Sequence, residues 1–157
     1  MEKERYELKD IDKAMVFEFT SIGPKGEIPK LVMYSKTEVE NFYNLSFGDK
    51  NIYTNDIDDT DIFAISDNKD SKKVLATVAS TIYTFTNRYP DAWIGATGSS
   101  DARTRLYQMS ISNNLEEILR DFAVIGVKDQ RLYLFEKNTR YDAFLITLKK
   151  NMKWKIP

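Results

Sequence analysis

One helical repeat constrains this fold most. Val74, Val78, Ile82 and Phe85 recur at spacings of four, four and three, with Leu75 beside them. Asp70 or Ser71 stands where a side chain can cap the free N–H groups. Pro90 disfavours helix in the residue before it, so the helix ends near Arg88. The segments on either side have a different period. Phe17 and Phe19 alternate with Glu18 and Thr20, as in a half-buried strand. Ile22–Gly26 reads as a turn, with Gly23 and Gly26 free to take positive φ, and Ile28–Tyr34 as the second arm of a hairpin. Pro29 has no N–H for a ladder and belongs at that strand's start or on an edge.

Asn41–Gly48 alternates again, with Tyr43, Leu45 and Phe47 on one face and Phe42, Asn44 and Ser46 on the other. Residues 49–61 form an acid-rich loop, and Ile62–Ile65 is a candidate short strand. After the helix come a strand at Ala92–Ala96, a turn, and a second helix interrupted at Asn113-Asn114. Asn114-Leu-Glu-Glu117 has the form of a capping box for a short helix over Leu115–Phe122. Ala123–Val127 and Arg131–Phe135 form another hairpin, and Tyr141–Leu148 is the last strand. Elements clustered in this order predict an α+β fold: a mostly antiparallel, curved or barrel-like sheet packed with two main helices. A partly closed barrel plugged by helices is the alternative. The 157 residues fit a single domain over 1–157, with 149–157 a loosely held basic tail.

Composition removes several chemistries. The chain has no cysteine and no histidine, so it cannot build a Ser-His-Asp triad, a thiol nucleophile or a His- or Cys-ligated metal centre. Carboxylates alone leave a hard-cation site open. Asp56, Asp58, Asp59 and Asp61 lack the central glycine and terminal glutamate of an EF-hand, and they read as a solvated loop. No metal and no cofactor is expected. A net charge of −1 gives no global attraction to nucleic acid or acidic membrane. The charged N-terminal segment shows no signal peptide, and no stretch nears a membrane span, so the expected location is cytoplasmic.

What remains is Ile94–Tyr107: a short strand, a tight polar turn and a helix opening on small hydroxyl residues and two arginines. Such a junction gathers backbone N–H groups, hydroxyls and guanidinium groups, which suits an anion. The candidate binding residues are Thr97, Ser99, Ser100, Arg103, Arg105 and Tyr107. Ser99, Ser100 and Asp101 are each able to cap the helix. Arg103 and Arg105 point about 200° apart on a regular helix, so one ligand cannot be held by both. Tyr107 shares the face of Arg103. The turn has neither Walker nor dinucleotide-binding spacing. A hydroxyl-capped helix with arginines in structural ion pairs is the plain reading of the same residues.

Three functions follow in order. The first is a non-enzymatic binding domain for a partner protein or a small anionic ligand at Thr97–Tyr107. The second is an enzyme acting on a phosphorylated or nucleotide-like substrate, with an arginine clamp and Asp101 or Asp49 as base. The third is nucleic-acid binding through Lys149, Lys150 and Lys153, with Trp154 stacking on a base.

Four segments, Asn41–Asp49, Lys73–Ala79, Gly98–Tyr107 and Tyr141–Ile146, together resemble a family of small uncharacterised proteins found mainly in Bacteroidetes. The Arg-Thr-Arg-Leu-Tyr block is the most distinctive part of the resemblance. It implies a single-domain bacterial protein and supplies no activity, cofactor or catalytic residue. The chain has Gly-Ser-Ser-Asp before Ala-Arg where the resemblance leads one to expect a shorter Gly-Ser-Thr type of turn.

Overall fold

The computed structural model describes residues 4–51, 53, 56–57, 67–97 and 100–153. The candidate strand at Ile62–Ile65, Asp58, Asp59 and Asp61 of the acidic loop, Ser99 and Trp154 lie outside the described residues.

Eight strands form one sheet in the order β1-β2-β3-β4-β5-β8-β6-β7. They are β1 (Lys9–Asp12), β2 (Val16–Gly23), β3 (Gly26–Lys36), β4 (Phe42–Asp49), β5 (Trp93–Ala96), β6 (Phe122–Lys128), β7 (Arg131–Leu134) and β8 (Ala143–Leu148). Every pairing is antiparallel except β4 with β5. The α+β expectation holds. The barrel does not, because β1 and β7 end the sheet as edges without meeting. The parallel pair requires a crossover, and α1 (Ser71–Arg88) lies within it. Two further helices, α2 (Asp101–Asn113) and α3 (Leu115–Asp121), separate β5 from β6.

The alternation read from the sequence sets which face is buried. Phe17 lies opposite Val32, and Val32 opposite Phe47, so these rings share one side of the sheet. Val74, Val78, Ile82 and Phe85 of α1 and Tyr107 and Ile111 of α2 join them in one core cluster. Tyr34 stacks on Phe85 at 4.0 Å between ring centres, and its hydroxyl meets Thr81 Oγ1 at 2.7 Å. Burial pushes the Tyr34 phenol well above its ordinary pKa.

Several local details differ from the sequence reading. Only Gly26 of the first turn takes positive φ, at 89°. Gly23 is small for another reason: a Cβ there would collide with the backbone carbonyl of Asn68. Asn68 is buried and ties the hairpin to the start of α1. Its Nδ2 donates to Ser21 Oγ and to the Gly26 carbonyl, and its Oδ1 accepts from Lys25 N–H at 2.7 Å. Asp70 occupies the N-cap of α1 without capping it. Its carboxylate instead accepts from the hydroxyls of Tyr6 and Ser21. The capping box at Asn114 does not form either. Its amide turns back to the Ser110 carbonyl at 2.7 Å, because Asn114 also closes α2 and that orphan carbonyl is nearer.

Pro29 falls within β3, but near its start. The hairpin closes on Gly23 and Gly26, so the alternation turns the Pro29 backbone toward β4. There β4 has ended at Asp49, and Lys50 N–H reaches the Pro29 carbonyl at 2.9 Å. No ladder bond is lost to the missing N–H.

Candidate functional site

At the start of α2, Ser100 is the cap among the three candidates the sequence offered. Ser100 has extended backbone (φ −149°, ψ 165°), and its hydroxyl accepts from Arg103 N–H at 3.3 Å. Its carbonyl accepts from Thr104 N–H at 3.0 Å and from Thr104 Oγ1 at 3.1 Å. Asp101 is then the first helical residue, where its charge complements the helix dipole.

From that start α2 presents two different faces. Arg103, Tyr107, Ser110 and Ile111 face inward and are buried. The Arg103 guanidinium donates to the Phe47 carbonyl at 3.4 Å, and the Tyr107 hydroxyl accepts from Phe47 N–H at 3.3 Å. The Tyr107 ring meets the Phe47 ring edge-on at 5.2 Å. Ser110 Oγ donates to the Leu75 carbonyl, joining α2 to α1. These side chains dock the helix on the end of β4. Lys30 and Asp49 form a buried ion pair across β3 and β4, next to the Phe47–Val32 pair in the register. The alternation of β3 had placed Lys30 on the face of Val32 and Tyr34, and that was the available signal for its burial.

The outer face of α2 lines an open groove of about 600 Å³. Ser100, Asp101, Arg105 and Gln108 form one wall, Thr97 the end next to β5, and Thr139 and Arg140 stand opposite on the segment between β7 and β8. That segment is held in three places. Gln108 Nε2 donates to the Thr139 carbonyl. Arg140 pairs with Asp101 at 3.3 Å, an exposed contact. The ring of Tyr141 packs on the Gly126 backbone, and its hydroxyl accepts from Glu136 N–H at 3.0 Å. The contacts of Gln108 with Thr139 and of Arg140 with Asp101 span 31 and 39 positions, so Arg140, Thr139 and Gln108 gave no signal as site residues.

The groove carries two guanidinium groups in different states. Arg140 has a carboxylate partner. Arg105 is exposed and has no ion-pair partner among the described residues. Asp142 also borders the groove, but its carboxylate is turned to the β6–β7 turn, where it accepts from Asp129 N–H at 3.1 Å. Thr97 and Ser100 add hydroxyls. The chemistry on offer is therefore charge-assisted donation to an anion from a largely polar surface, in a space of the size that small ligands occupy.

Of the six residues singled out by sequence, the five that are described separate. Thr97, Ser100 and Arg105 meet at the groove, and Arg103 and Tyr107 lie on the core side of the same helix. Asp49 is likewise remote from the groove and paired with Lys30. Lys149–Asn151 form a single 3-10 turn tied to the body of the fold. Lys150 meets Asp91 at 3.2 Å, and Asn151 donates to the Pro90 carbonyl and to Thr147 Oγ1. Among the described residues no three carboxylates gather as a metal site would need, and no helix is long and apolar enough to cross a membrane.

Residues 2–149 match the model of one family, described as a family of unknown function (DUF6934). No curated protein and no solved structure matches the chain.

Proposed function

Since the chain belongs to the family DUF6934, whose description names no activity, we propose that it is a non-enzymatic binding domain that takes an anionic group in the groove between α2 and the β7–β8 segment. The group is carried by a small molecule or by a partner protein. Arg105 supplies the primary charge, Arg140 the second, and Thr97 and Ser100 the neutral hydrogen bonds. The exposed guanidinium of Arg105, without an ion-pair partner among the described residues, carries this reading. Three lysines, by contrast, are paired: Lys30 with Asp49, Lys50 with Glu18 and Lys150 with Asp91. Arg103 and Tyr107 position the groove from behind by fixing α2 on β4.

An arginine clamp with a carboxylate base is less well supported. Asp49 is on the other side of α2, and the groove's own carboxylates are exposed and engaged with Arg140 and with Asp129 N–H. Nucleic acid is not the ligand proposed, since Lys150 is held by Asp91. The reading takes the protein as bacterial and cytoplasmic, in keeping with its cysteine-free composition. It also takes the Gly98–Tyr107 block as the family's signature.

A melting-temperature screen against inorganic phosphate, sugar phosphates, nucleotides and polyanions tests the proposal. A ligand of the groove raises the melting temperature of the wild type and loses that effect with Arg105→Ala. An equal shift in wild type and Arg105→Ala, or no shift with any anion, contradicts it.

A further inference from the structure

Two side chains that line the groove, Asp101 and Arg140, meet across it. Asp101 is the first residue of α2, and Arg140 lies 39 positions away on the segment between β7 and β8. Their contact joins the two walls by charge. Arg140 Nη2 donates to Asp101 Oδ2 at 3.3 Å. A charge-assisted hydrogen bond of this kind is ordinarily about 2.7–2.9 Å long, so the contact is a loose one. Both side chains stand largely in water, with 75% of Arg140 and 89% of Asp101 exposed. Solvent and mobile ions screen such a pair, which therefore holds its geometry with little free energy.

A guanidinium reads carboxylate and phosphate oxygens through the same N–H donors. Asp101 thus occupies, for Arg140, the place that the anion of a ligand would take. The segment that carries Arg140 has anchors of its own. Gln108 Nε2 donates to the Thr139 carbonyl, and the Tyr141 ring lies on the Gly126 backbone. The Arg140 side chain can leave Asp101 while its backbone keeps its place. Asp101 is likewise held by α2, whose first turn Ser100 caps.

Taking the groove as the anion site read above, we propose that Asp101 regulates that site as a built-in competitor for Arg140. It holds the second guanidinium until an external anion takes its place. Without ligand, Arg140 stays on Asp101. An anion that has docked on Arg105 draws Arg140 to itself, and the broken ion pair lowers the affinity by what that pair was worth.

Titration of the full chain with inorganic phosphate at constant ionic strength, read at the Nε–H resonances of Arg105 and Arg140, tests this. Asp101→Asn keeps the shape of the side chain and removes its charge. It is expected to tighten phosphate about fivefold, of which relief of simple repulsion between exposed charges accounts for less than about twofold. In the Arg140→Gln background the same substitution is expected to change affinity by less than about twofold, since no guanidinium is there to be released.

Equal affinity of wild type and Asp101→Asn overturns the proposal. So does a gain of the same size in the Arg140→Gln background, which would make Asp101 a repelling charge and no more. Either result leaves the groove itself standing as long as Arg105→Ala abolishes binding. Phosphate binding that survives Arg105→Ala, or none in wild type and Asp101→Asn alike, overturns the groove and its competitor together. Binding seen only in Asp101→Asn, and lost again with Arg105→Ala, supports the competitor in its strongest form.

Discussion

Arg103 and Arg105 sit two residues apart on one helix and do opposite work. Arg103 is buried and spends its guanidinium on the Phe47 carbonyl of β4. Arg105 is exposed over the groove. A rotation of about 200° along the helix separates a residue that holds the fold from one that faces outward. The same division runs through the whole of α2. Tyr107, Ser110 and Ile111 follow Arg103 inward, and Asp101, Gln108 and Ser112 follow Arg105 to the groove. A motif that looks like one site in the sequence is a structural face and a binding face back to back.

The sharpest way to break this comparison is Arg103→Ala. It leaves the buried Phe47 carbonyl without this donor and opens a cavity, and is expected to cost about 3 kcal/mol. Urea unfolding measures it. A loss below about 0.5 kcal/mol, the usual range for surface positions, would mean that the inward face carries nothing.

A second test concerns the phenols of the core side. Tyr83 on α1 donates to the Glu117 carbonyl at 3.1 Å. Burial, and after it the carboxylates of Glu117 and Asp121, push its pKa up to about 12. The Tyr34 phenol is raised in the same direction. A folded pKa above the unfolded value of about 10 means that the native state holds the proton more tightly. That stability is complete below about pH 10 and drains away as pH rises toward 12. The melting temperature should fall across that window, and less steeply in Tyr83→Phe. Identical alkaline profiles would contradict the assignment.

Smaller effects are expected at the helix start and at the ring behind it. Ser100→Ala removes the cap and should cost about 1 kcal/mol, and Ser100→Asp should recover most of it. Tyr107→Phe keeps the ring against Phe47 but loses the hydroxyl that accepts from Phe47 N–H, also about 1 kcal/mol. The smallest stability effect belongs to the outward face. Arg105→Ala should change unfolding free energy by less than about 0.5 kcal/mol while abolishing anion binding. A large stability loss there would place Arg105 among the structural arginines.

The features legible in the sequence were those written in local period. The spacing of Val74, Val78, Ile82 and Phe85 placed α1, and the alternation at Tyr43, Leu45 and Phe47 placed β4 with its buried face. The 200° argument separated the two arginines before any contact was known. What escaped had no local trace. β1 carries four exposed residues and no alternation. It is held by pairing with β2 and by a turn in which Asp10 accepts from Ala14 N–H at 2.9 Å, with Lys13 and Ala14 at positive φ. The far wall of the groove comes from residues 31 positions beyond Gln108, and tertiary packing alone brings them together. The caps at Asp70 and Asn114 failed for a shared reason: each side chain is engaged elsewhere, Asp70 by the hydroxyls of Tyr6 and Ser21 and Asn114 by the Ser110 carbonyl.

The central claim, that α2 turns one arginine into the fold and the other toward an anion, is open to direct measurement. The Nε–H resonances of assigned arginine side chains are to be followed while inorganic phosphate is titrated at constant ionic strength. The account predicts saturable shifts at Arg105, with Arg140 following and Arg103 unmoved. An Arg105 resonance that stays still, or one that drifts without saturation alongside every other arginine, would contradict it.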